Sequence, residues 1–172
     1  MPQAQRARAG RSSRTKAMLE PVMEPMTAAD GIDFEIIELF FFAYRAFTSD
    51  PDAILEKGDM GRAHHRVLHF VNREPGMTVA ALLDTLKITK QSLARVLKQL
   101  IDKGYICQVA GHEDRRQRCL YPTRTGRELA LELAAPQHAR IARALSASTP
   151  EERNAIARFL TRMRGEAEGA QP

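Results

Sequence analysis

Cysteine is scarce in this sequence, and a long apolar run is missing altogether. The two cysteines, Cys107 and Cys119, have no closely spaced partners and give no disulfide framework of the kind found in small secreted proteins. The most apolar segment, residues 36–46, is interrupted by Glu38 and is shorter than the roughly 18 residues that suggest a membrane span. The N-terminus lacks the apolar stretch of a secretion signal. We therefore expect a cytoplasmic protein with no membrane partner.

Motifs of common enzyme chemistry are also missing. The chain contains no glycine-rich phosphate-binding loop, no nucleophile elbow and no His-Glu-x-x-His metal motif. Its 172 residues are enough for one domain with a proper core. We therefore predict a single folding unit that is not an enzyme and holds no cofactor.

The positive charge is concentrated in two segments. Residues 1–17 carry four arginines, one lysine and no acid, so this segment alone accounts for the net charge of +5. Residues 87–127 carry a local charge of +7, which the rest of the chain offsets. Such a concentration predicts a polyanionic partner that is contacted through one face. Residues 1–31 have no sustained apolar period and are predicted to be a flexible basic arm.

The middle of the chain has the element order of a winged helix-turn-helix. Two short helices, joined tightly and each preceded by a threonine, follow a first helix, and two strand-like runs come after them. These elements are predicted as helices over residues 62–73, 79–86 and 90–103 and strands over residues 105–110 and 118–122. We therefore predict a mainly α fold with a small β-wing, in which the second helix of the turn lies in the major groove of DNA.

The outer helices are predicted to pair with a second copy of the chain. Residues 34–48 form an apolar helix with more phenylalanines than one small domain can bury on one face, and residues 49–61 form a loop with a short helical turn. A long helix over residues 123 to about 147 is expected to be kinked or divided by Pro136. Thr149 starts the last helix with a capping box. The outer helices cannot hide their apolar faces within one subunit, so we expect a homodimer.

The predicted reading helix, residues 90–103, has an apolar side and a polar side. Its apolar residues recur at helical spacing: Leu93, Val96, Leu97, Leu100 and Ile101. Its polar residues lie opposite them or at the N-terminus: Thr89, Lys90, Gln91, Ser92, Arg95 and Lys98. Arginine, glutamine and lysine can hydrogen-bond base edges or phosphates, and free amides at a helix N-terminus favour a phosphate. Taken alone, the pattern is more typical of an ordinary amphipathic surface helix.

The segment "GHEDRRQ" between the two strands is the predicted tip of the wing. Arg115 and Arg116, with Asp114 beside them to orient a guanidinium, are suited to a minor groove, whose narrow stretches concentrate negative potential. Taken alone, they also fit a solvated turn with a local ion pair. Because they lie next to a cationic helix, we predict a wing that contacts the DNA backbone and the minor groove. The helix then reads the major groove.

Two segments, "LKITKQSLARVLKQLIDKGYI" and "DRRQRCLYPTRTG", resemble the MarR family of bacterial transcription factors, and "GRAHHRVLHFV" is similar to its PetP-type branch. The wing of the family carries Asp-Arg-Arg ahead of Leu-x-Leu-Thr-x-x-Gly, and this sequence has Pro122 where the second leucine is expected. Proline cannot donate a ladder hydrogen bond, so the strand should stop there or lie at an edge. The resemblance covers about residues 33–165.

The resemblance implies a homodimer that binds a pseudo-palindromic operator in double-stranded DNA, with half-sites about 10 bp apart. It implies dimerisation helices in residues 32–61 and 123–168, a DNA-binding lobe in residues 62–122, and small-molecule effector pockets between them. Repression is the commoner mode in the family, and we predict a repressor on that ground. By motif position, the resemblance places DNA contacts at Thr89, Lys90, Gln91, Ser92, Arg95, Asp114, Arg115 and Arg116.

Three histidines in "RAHHRVLHF" are candidates for the site of a signal. His64 shares a helical stripe with apolar residues, so it is predicted to point inward. His65 and His69 are spaced i, i+4 on another face, and this spacing can hold a metal ion or haem iron. No cysteine or carboxylate ligand lies nearby in sequence, and structural or DNA-proximal histidines remain the alternative.

Cys107 and Cys119 lie on the two strands of the predicted wing. A hairpin centred near Glu113 would place them roughly across from each other on the face opposite Ile106 and Leu120. A disulfide between them is therefore a hypothesis for a redox switch. Two reduced, half-buried thiols explain the residues as well.

The alternative function is a winged-helix module for sequence-blind nucleic-acid binding or for protein association. Competition at increasing salt separates the two interpretations. A specific regulator keeps a large preference for one palindrome, whereas a sequence-blind binder loses affinity for all DNA alike.

Overall fold

The computed structural model describes residues 25–27, 29, 31–111 and 117–165. Within them the elements are α1 (Phe34–Glu56), α2 (Arg62–Arg73), α3 (Val79–Leu86), α4 (Lys90–Asp102), β1 (Ile106–Ala110), β2 (Arg118–Pro122), α5 (Arg124–Ala144) and α6 (Pro150–Met163). This confirms a mainly α fold with a small β-wing. Among the described residues, no helix combines the length and the apolar character that crossing a bilayer requires.

The chain divides into two compact units, Met1–Phe42 and Ala43–Pro172. In the first unit, Asp33 caps the start of α1 because its Oδ1 accepts the N–H of Ile36 at 3.1 Å. The division into two units contradicts the single folding unit predicted from chain length. The second unit holds the hydrophobic core. Leucine, valine and isoleucine side chains from helices α1 to α5 and both strands meet there, among them Leu55, Val67, Leu68, Val71, Leu82, Leu93, Leu100, Ile106, Leu120 and Leu133.

The helix-turn-helix is built from local capping signals. Thr78 accepts the N–H of Ala81 at 3.1 Å and begins α3, and Thr89 accepts the N–H of Ser92 at 3.2 Å and begins α4. Lys87 makes the tight turn between them with a left-handed φ of 50°. Gly104, with φ of 75°, ends α4. The predicted caps and the predicted stop are confirmed.

The wing is an antiparallel pair in which Ile106 is paired with Pro122, the last residue of β2. The strand therefore stops at the proline, as predicted. The same register pairs Cys107 with Tyr121 rather than with Cys119. The prediction that the two cysteines lie across from each other is therefore wrong. They are diagonal neighbours, whose separation of roughly 7–8 Å exceeds the reach of a disulfide in an unshifted ladder.

The predicted loop after residue 48 is wrong, because α1 continues to Glu56 through Pro51. A proline inside a helix removes the hydrogen bond to the carbonyl four residues earlier, here that of Phe47. Gln137 of α5 donates to this carbonyl from Nε2 at 3.3 Å. Pro51 itself is buried, so packing and a side-chain donor replace the missing backbone bond.

Helices α5 and α6 are closer than α1 to the helices predicted from the sequence. Helix α5 runs undivided from Arg124 to Ala144 with Pro136 inside it, so the expected division does not occur. Leu133 before the proline is buried, and Gln137 after it is hydrogen-bonded to α1, so tertiary contacts hold both turns in place. Thr149 and Glu152 form the predicted capping box at the start of α6.

Candidate DNA-binding site

Helix α4 separates its two faces as the sequence pattern predicts. Leu93, Val96, Leu97 and Leu100 are buried, and Ile101 is half-buried beside them. The predicted DNA-contacting side chains are all exposed, from the cap through the third turn: Thr89, Lys90, Gln91, Ser92, Arg95 and Lys98. The helix therefore presents a continuous polar surface to solvent. Its geometry suits insertion in a major groove, which admits an α-helix.

The N-terminus of α4 has a defined arrangement of donors. Thr89 donates its hydroxyl hydrogen to Ser92 Oγ at 2.9 Å while its own oxygen accepts the Ser92 N–H. This arrangement leaves the Ser92 hydroxyl hydrogen free to point outward. The unpaired amides of the first turn, the positive pole of the helix dipole and Lys90 lie at the same end of α4, and this combination favours a negatively charged group.

Lys98 has a partner on its own helix. Its Nζ forms an ion pair with Asp102 Oδ2, one turn further along, and both side chains are well exposed. An exposed pair of this kind contributes about 0–1 kcal/mol. Lys98 can therefore leave Asp102 for a DNA phosphate at little cost.

The predicted wing residues Asp114, Arg115 and Arg116 lie outside the described residues. At the end of the described part of the hairpin, the N–H of Gly111 donates to the carbonyl of Gln117 at 3.0 Å.

His64 points inward, as predicted, and links α2 to the reading helix. Its Nδ1 accepts the N–H of Gly61 at 3.0 Å, and its Nε2 lies 2.6 Å from Oε1 of Gln99 on α4. Because Nδ1 accepts, the ring hydrogen is on Nε2 and donates to Gln99. The imidazole therefore sets the start of α2 and its distance from α4, which is a structural role.

His65 and His69 line a cavity of about 290 Å³ in the second unit. Burial lowers the pKa of His65 and the charge of His69 lowers it further, whereas Asp52 acts in the opposite direction. Burial lowers the pKa of His69 as well, and the nearby charge of Arg73 adds to the effect. Both shifts favour the neutral imidazole. Among the described residues, no cluster of three or more His, Cys, Asp or Glu side chains is placed to hold a metal.

The cavity is also lined by residues that were not predicted from the sequence to be part of a site. Arg62 donates from Nε and Nη2 to Asp52 Oδ2 at 2.9 and 2.8 Å, and its guanidinium lies 5.4 Å from the centre of the Tyr44 ring. Arg66 donates from Nη2 to the carbonyl of Leu86 at 2.9 Å. The sequence does carry a signal for them, because residues 62, 65, 66 and 69 form a polar stripe at i, i+3, i+4 and i+7. The remaining lining residues are Phe47, Thr48, Phe70 and Gln137.

A helix-turn-helix with an exposed polar second helix, followed by a two-stranded ribbon, defines a winged helix-turn-helix protein. The sequence profile of the MarR family matches residues 59–117. The HTH-type transcriptional regulator PetP of Rhodobacter capsulatus is 51% identical over 115 residues, which are 67% of this chain and 69% of that protein. The chain therefore belongs to the MarR family of winged helix-turn-helix transcriptional regulators.

Solved structures share this fold. A MarR protein from Peptoclostridium difficile superimposes with a TM-score of 0.66 at 20% identity, over 85% of this chain and 94% of that one. Streptococcus pneumoniae FabT, solved in complex with DNA, gives a TM-score of 0.65 at 20% identity, over 77% of this chain and 96% of its own.

Proposed function

We propose that this protein is a repressor that binds a pseudo-palindromic operator as a homodimer and whose DNA affinity responds to a small molecule. The observation that carries the proposal is the exposed polar face of α4, opposite a buried apolar stripe and capped by Thr89. The DNA in the FabT structure supports this assignment, because that protein shares the fold.

The side chains of α4 divide by chemistry into two groups. Gln91 and Arg95 can make bidentate bonds to base edges, adenine for glutamine and guanine for arginine. Lys90, Ser92 and Lys98 suit phosphates, which position the protein without reading sequence. Asp114, Arg115 and Arg116 are proposed to act on the minor groove, on the strength of the family resemblance.

Homodimerisation is supported by apolar surface that one chain leaves uncovered. Helix α6 has no buried residue, although Ile156, Leu160 and Met163 lie along one of its faces. In the first unit, α1 exposes further apolar side chains, including Phe41 and Phe42. Surfaces of this kind on a regular element indicate a partner. We assign residues 32–61 and 123–168 to dimerisation and residues 62–122 to DNA binding.

The effector is proposed to bind in the cavity beside α2. Two guanidinium groups, two imidazoles and the rings of Tyr44, Phe47 and Phe70 line it, and no carboxylate is among the described lining residues. This chemistry suits a small anion with an aromatic body. A metal or haem at His65 and His69 is the second candidate, supported by their i, i+4 spacing and neutral form. Equal, negligible zinc and haem uptake by the wild type and by His65→Ala/His69→Ala would remove that candidate.

Selection of bound fragments from random duplex by the purified protein tests the main proposal. We expect one pseudo-palindrome with half-sites about 10 bp apart, bound at least about 1,000-fold more tightly than random duplex at physiological salt. Equal loss of affinity for selected and random DNA as salt rises would instead identify a sequence-blind module.

A further inference from the structure

Arg66 reaches two regions of the fold at once. It lies on the polar stripe of α2 that lines the cavity, together with Arg62, His65 and His69. Its guanidinium also donates from Nη2 to the backbone carbonyl of Leu86 at 2.9 Å. Leu86 is the last residue of α3, immediately before the turn of the helix-turn-helix. One side chain thus joins the cavity wall to the element that positions the reading helix.

The Leu86 carbonyl depends on a donor from outside its helix. The last four carbonyls of an α-helix have no intrahelical partner. Here the chain leaves the helix at once, because Lys87 adopts a left-handed φ of 50° and returns its N–H to the carbonyl of Leu83 at 3.0 Å. Thr89, the cap of α4, follows two residues after Lys87. Arg66 therefore fixes the α3–α4 turn from outside, close to the start of α4.

The two guanidinium groups of the cavity have different partners. Arg62 is neutralised by Asp52, to which it makes two hydrogen bonds. Arg66 is bonded to a neutral carbonyl. A guanidinium and a carboxylate carry opposite charges and often pair in bidentate geometry, whereas in the bond to the Leu86 carbonyl only the donor is charged. An anion in the cavity would therefore compete with Leu86 for Arg66.

We propose that Arg66 is a positioning residue that couples the cavity to the DNA-binding surface. Bonded to Leu86, it holds the α3–α4 turn and the start of α4 in the arrangement seen here. Bonded to an anion in the cavity, it releases the turn and lowers DNA affinity. The DNA part of this inference rests on the proposed function, whereas the movement of the turn can be measured without DNA.

Hydrogen exchange of the full chain tests the coupling. The readouts are the amides of Lys87 and Ser92, both of which are hydrogen-bonded in this structure. Benzoate serves as the anionic probe, and benzamide serves as a neutral probe of nearly the same shape. We expect benzoate to speed exchange at both amides roughly tenfold, as the loss of one charge-assisted hydrogen bond implies. Benzamide should leave both rates unchanged.

Variants separate this role from general destabilisation. Arg66→Met keeps the aliphatic stem and removes the guanidinium, so exchange at Lys87 and Ser92 should be fast already and should not respond to benzoate. Arg62→Met is the matched control, because it removes the other guanidinium of the cavity and leaves the Leu86 contact intact. It should exchange as slowly as the wild type without benzoate. Arg66→Lys should restore part of the protection.

Wild-type exchange rates at both amides in Arg66→Met would overturn the inference, and so would identical effects of benzoate and benzamide. Failure of the proposed function has a different signature. In that case the wild type would show no preference for a selected duplex, while the exchange results would still follow Arg66. With DNA binding intact, Arg66→Met should bind the operator roughly tenfold more weakly than Arg62→Met.

Discussion

Gly126 lies directly against the backbone carbonyl of Tyr105, so that a Cβ on residue 126 would be only 1.9 Å from that oxygen. The same carbonyl accepts the N–H of Thr123 at 3.1 Å, and the hydroxyl of Thr125 donates to the carbonyl of Gly104 at 3.0 Å. These contacts join the start of α5 to the chain that enters β1. The Thr-x-x-Gly pattern of residues 123–126 therefore has a physical reason: a cap at its first position and room for a carbonyl at its last.

Gly126→Ala should destabilise the fold, because the added methyl group overlaps backbone that cannot move without breaking the Thr123 contacts. Overpacking of this kind costs about 1–3 kcal/mol and occasionally more. The measurement is urea unfolding followed by circular dichroism. Gly61→Ala is the control, since nothing lies within 4 Å of a Cβ at that position, and it should change the free energy of unfolding by less than about 1 kcal/mol. Equal losses in both variants would contradict this account.

Local signals made most of the fold predictable. Thr78, Thr89 and Thr149 begin their helices as the sequence indicates, because a capping bond joins residues only three apart. The extension of α1 through Pro51 was not predictable. It depends on Gln137, which lies 90 residues away from the Phe47 carbonyl to which it donates.

In the candidate site, too, features that depend on local sequence could be predicted, whereas features that depend on tertiary packing could not. The two faces of α4 follow from helical periodicity, so exposed Gln91 and Arg95 could be predicted before the structure. The bond from Arg66 to Leu86 could not, because it depends on how α2 packs against α3. The relation of Cys107 to Cys119 was predicted wrongly because the register depends on the length of the hairpin connection, which alternation of side chains does not determine.

The His64–Gln99 hydrogen bond should contribute to stability as a pair. His64→Leu leaves the Gln99 amide oxygen and the Gly61 N–H without their partners inside the fold, which costs about 1–3 kcal/mol. Gln99→Leu alone should cost a similar amount, because it leaves the imidazole N–H unpaired. The double variant should then lose less than the sum of the two. Urea unfolding of the four proteins measures the coupling, and strict additivity would show that the two side chains do not interact.

Stability should depend on pH through His65 and His69. Burial lowers the pKa of both below the ordinary value of 6.5, so the unfolded chain takes up protons before the folded chain does. The contribution of the two neutral imidazoles to the free energy of unfolding is therefore fully present above about pH 6.5. It decreases as the pH falls through the lowered pKa values. His65→Gln/His69→Gln should lose less stability than the wild type between about pH 7 and about pH 5. Parallel pH profiles from urea unfolding would rule this out.

Leu160 on α6 should be part of the dimer interface. Its side chain is 47% exposed in the single chain, and a charge at this position would be desolvated without a partner in a homodimer. Leu160→Asp should weaken dimerisation about 100-fold or more, as measured by analytical ultracentrifugation. Asn154→Asp adds the same charge to an exposed polar position of the same helix and should leave the dimer largely intact. A wild-type chain that is monomeric at micromolar concentration would refute the interface itself.

Substitutions on α4 should separate reading of bases from binding of phosphates. Gln91→Ala and Arg95→Ala should each relax the preference at a particular base pair, at a cost of about 1–3 kcal/mol for the preferred operator. Lys98→Ala should weaken binding to every sequence alike. It should also reduce the slope of log affinity against log salt concentration by about one, because one phosphate contact and its released counterion are lost. Asp102→Asn is the matched variant for Lys98, because it removes the ion-pair partner and leaves the ammonium free for a phosphate. It should bind all duplexes at least as tightly as the wild type does.

Titrations against the selected operator and its single-base variants at several salt concentrations measure these effects. Uniform weakening by Gln91→Ala, Arg95→Ala and Lys98→Ala would mean that α4 contacts only the backbone and that sequence is read elsewhere.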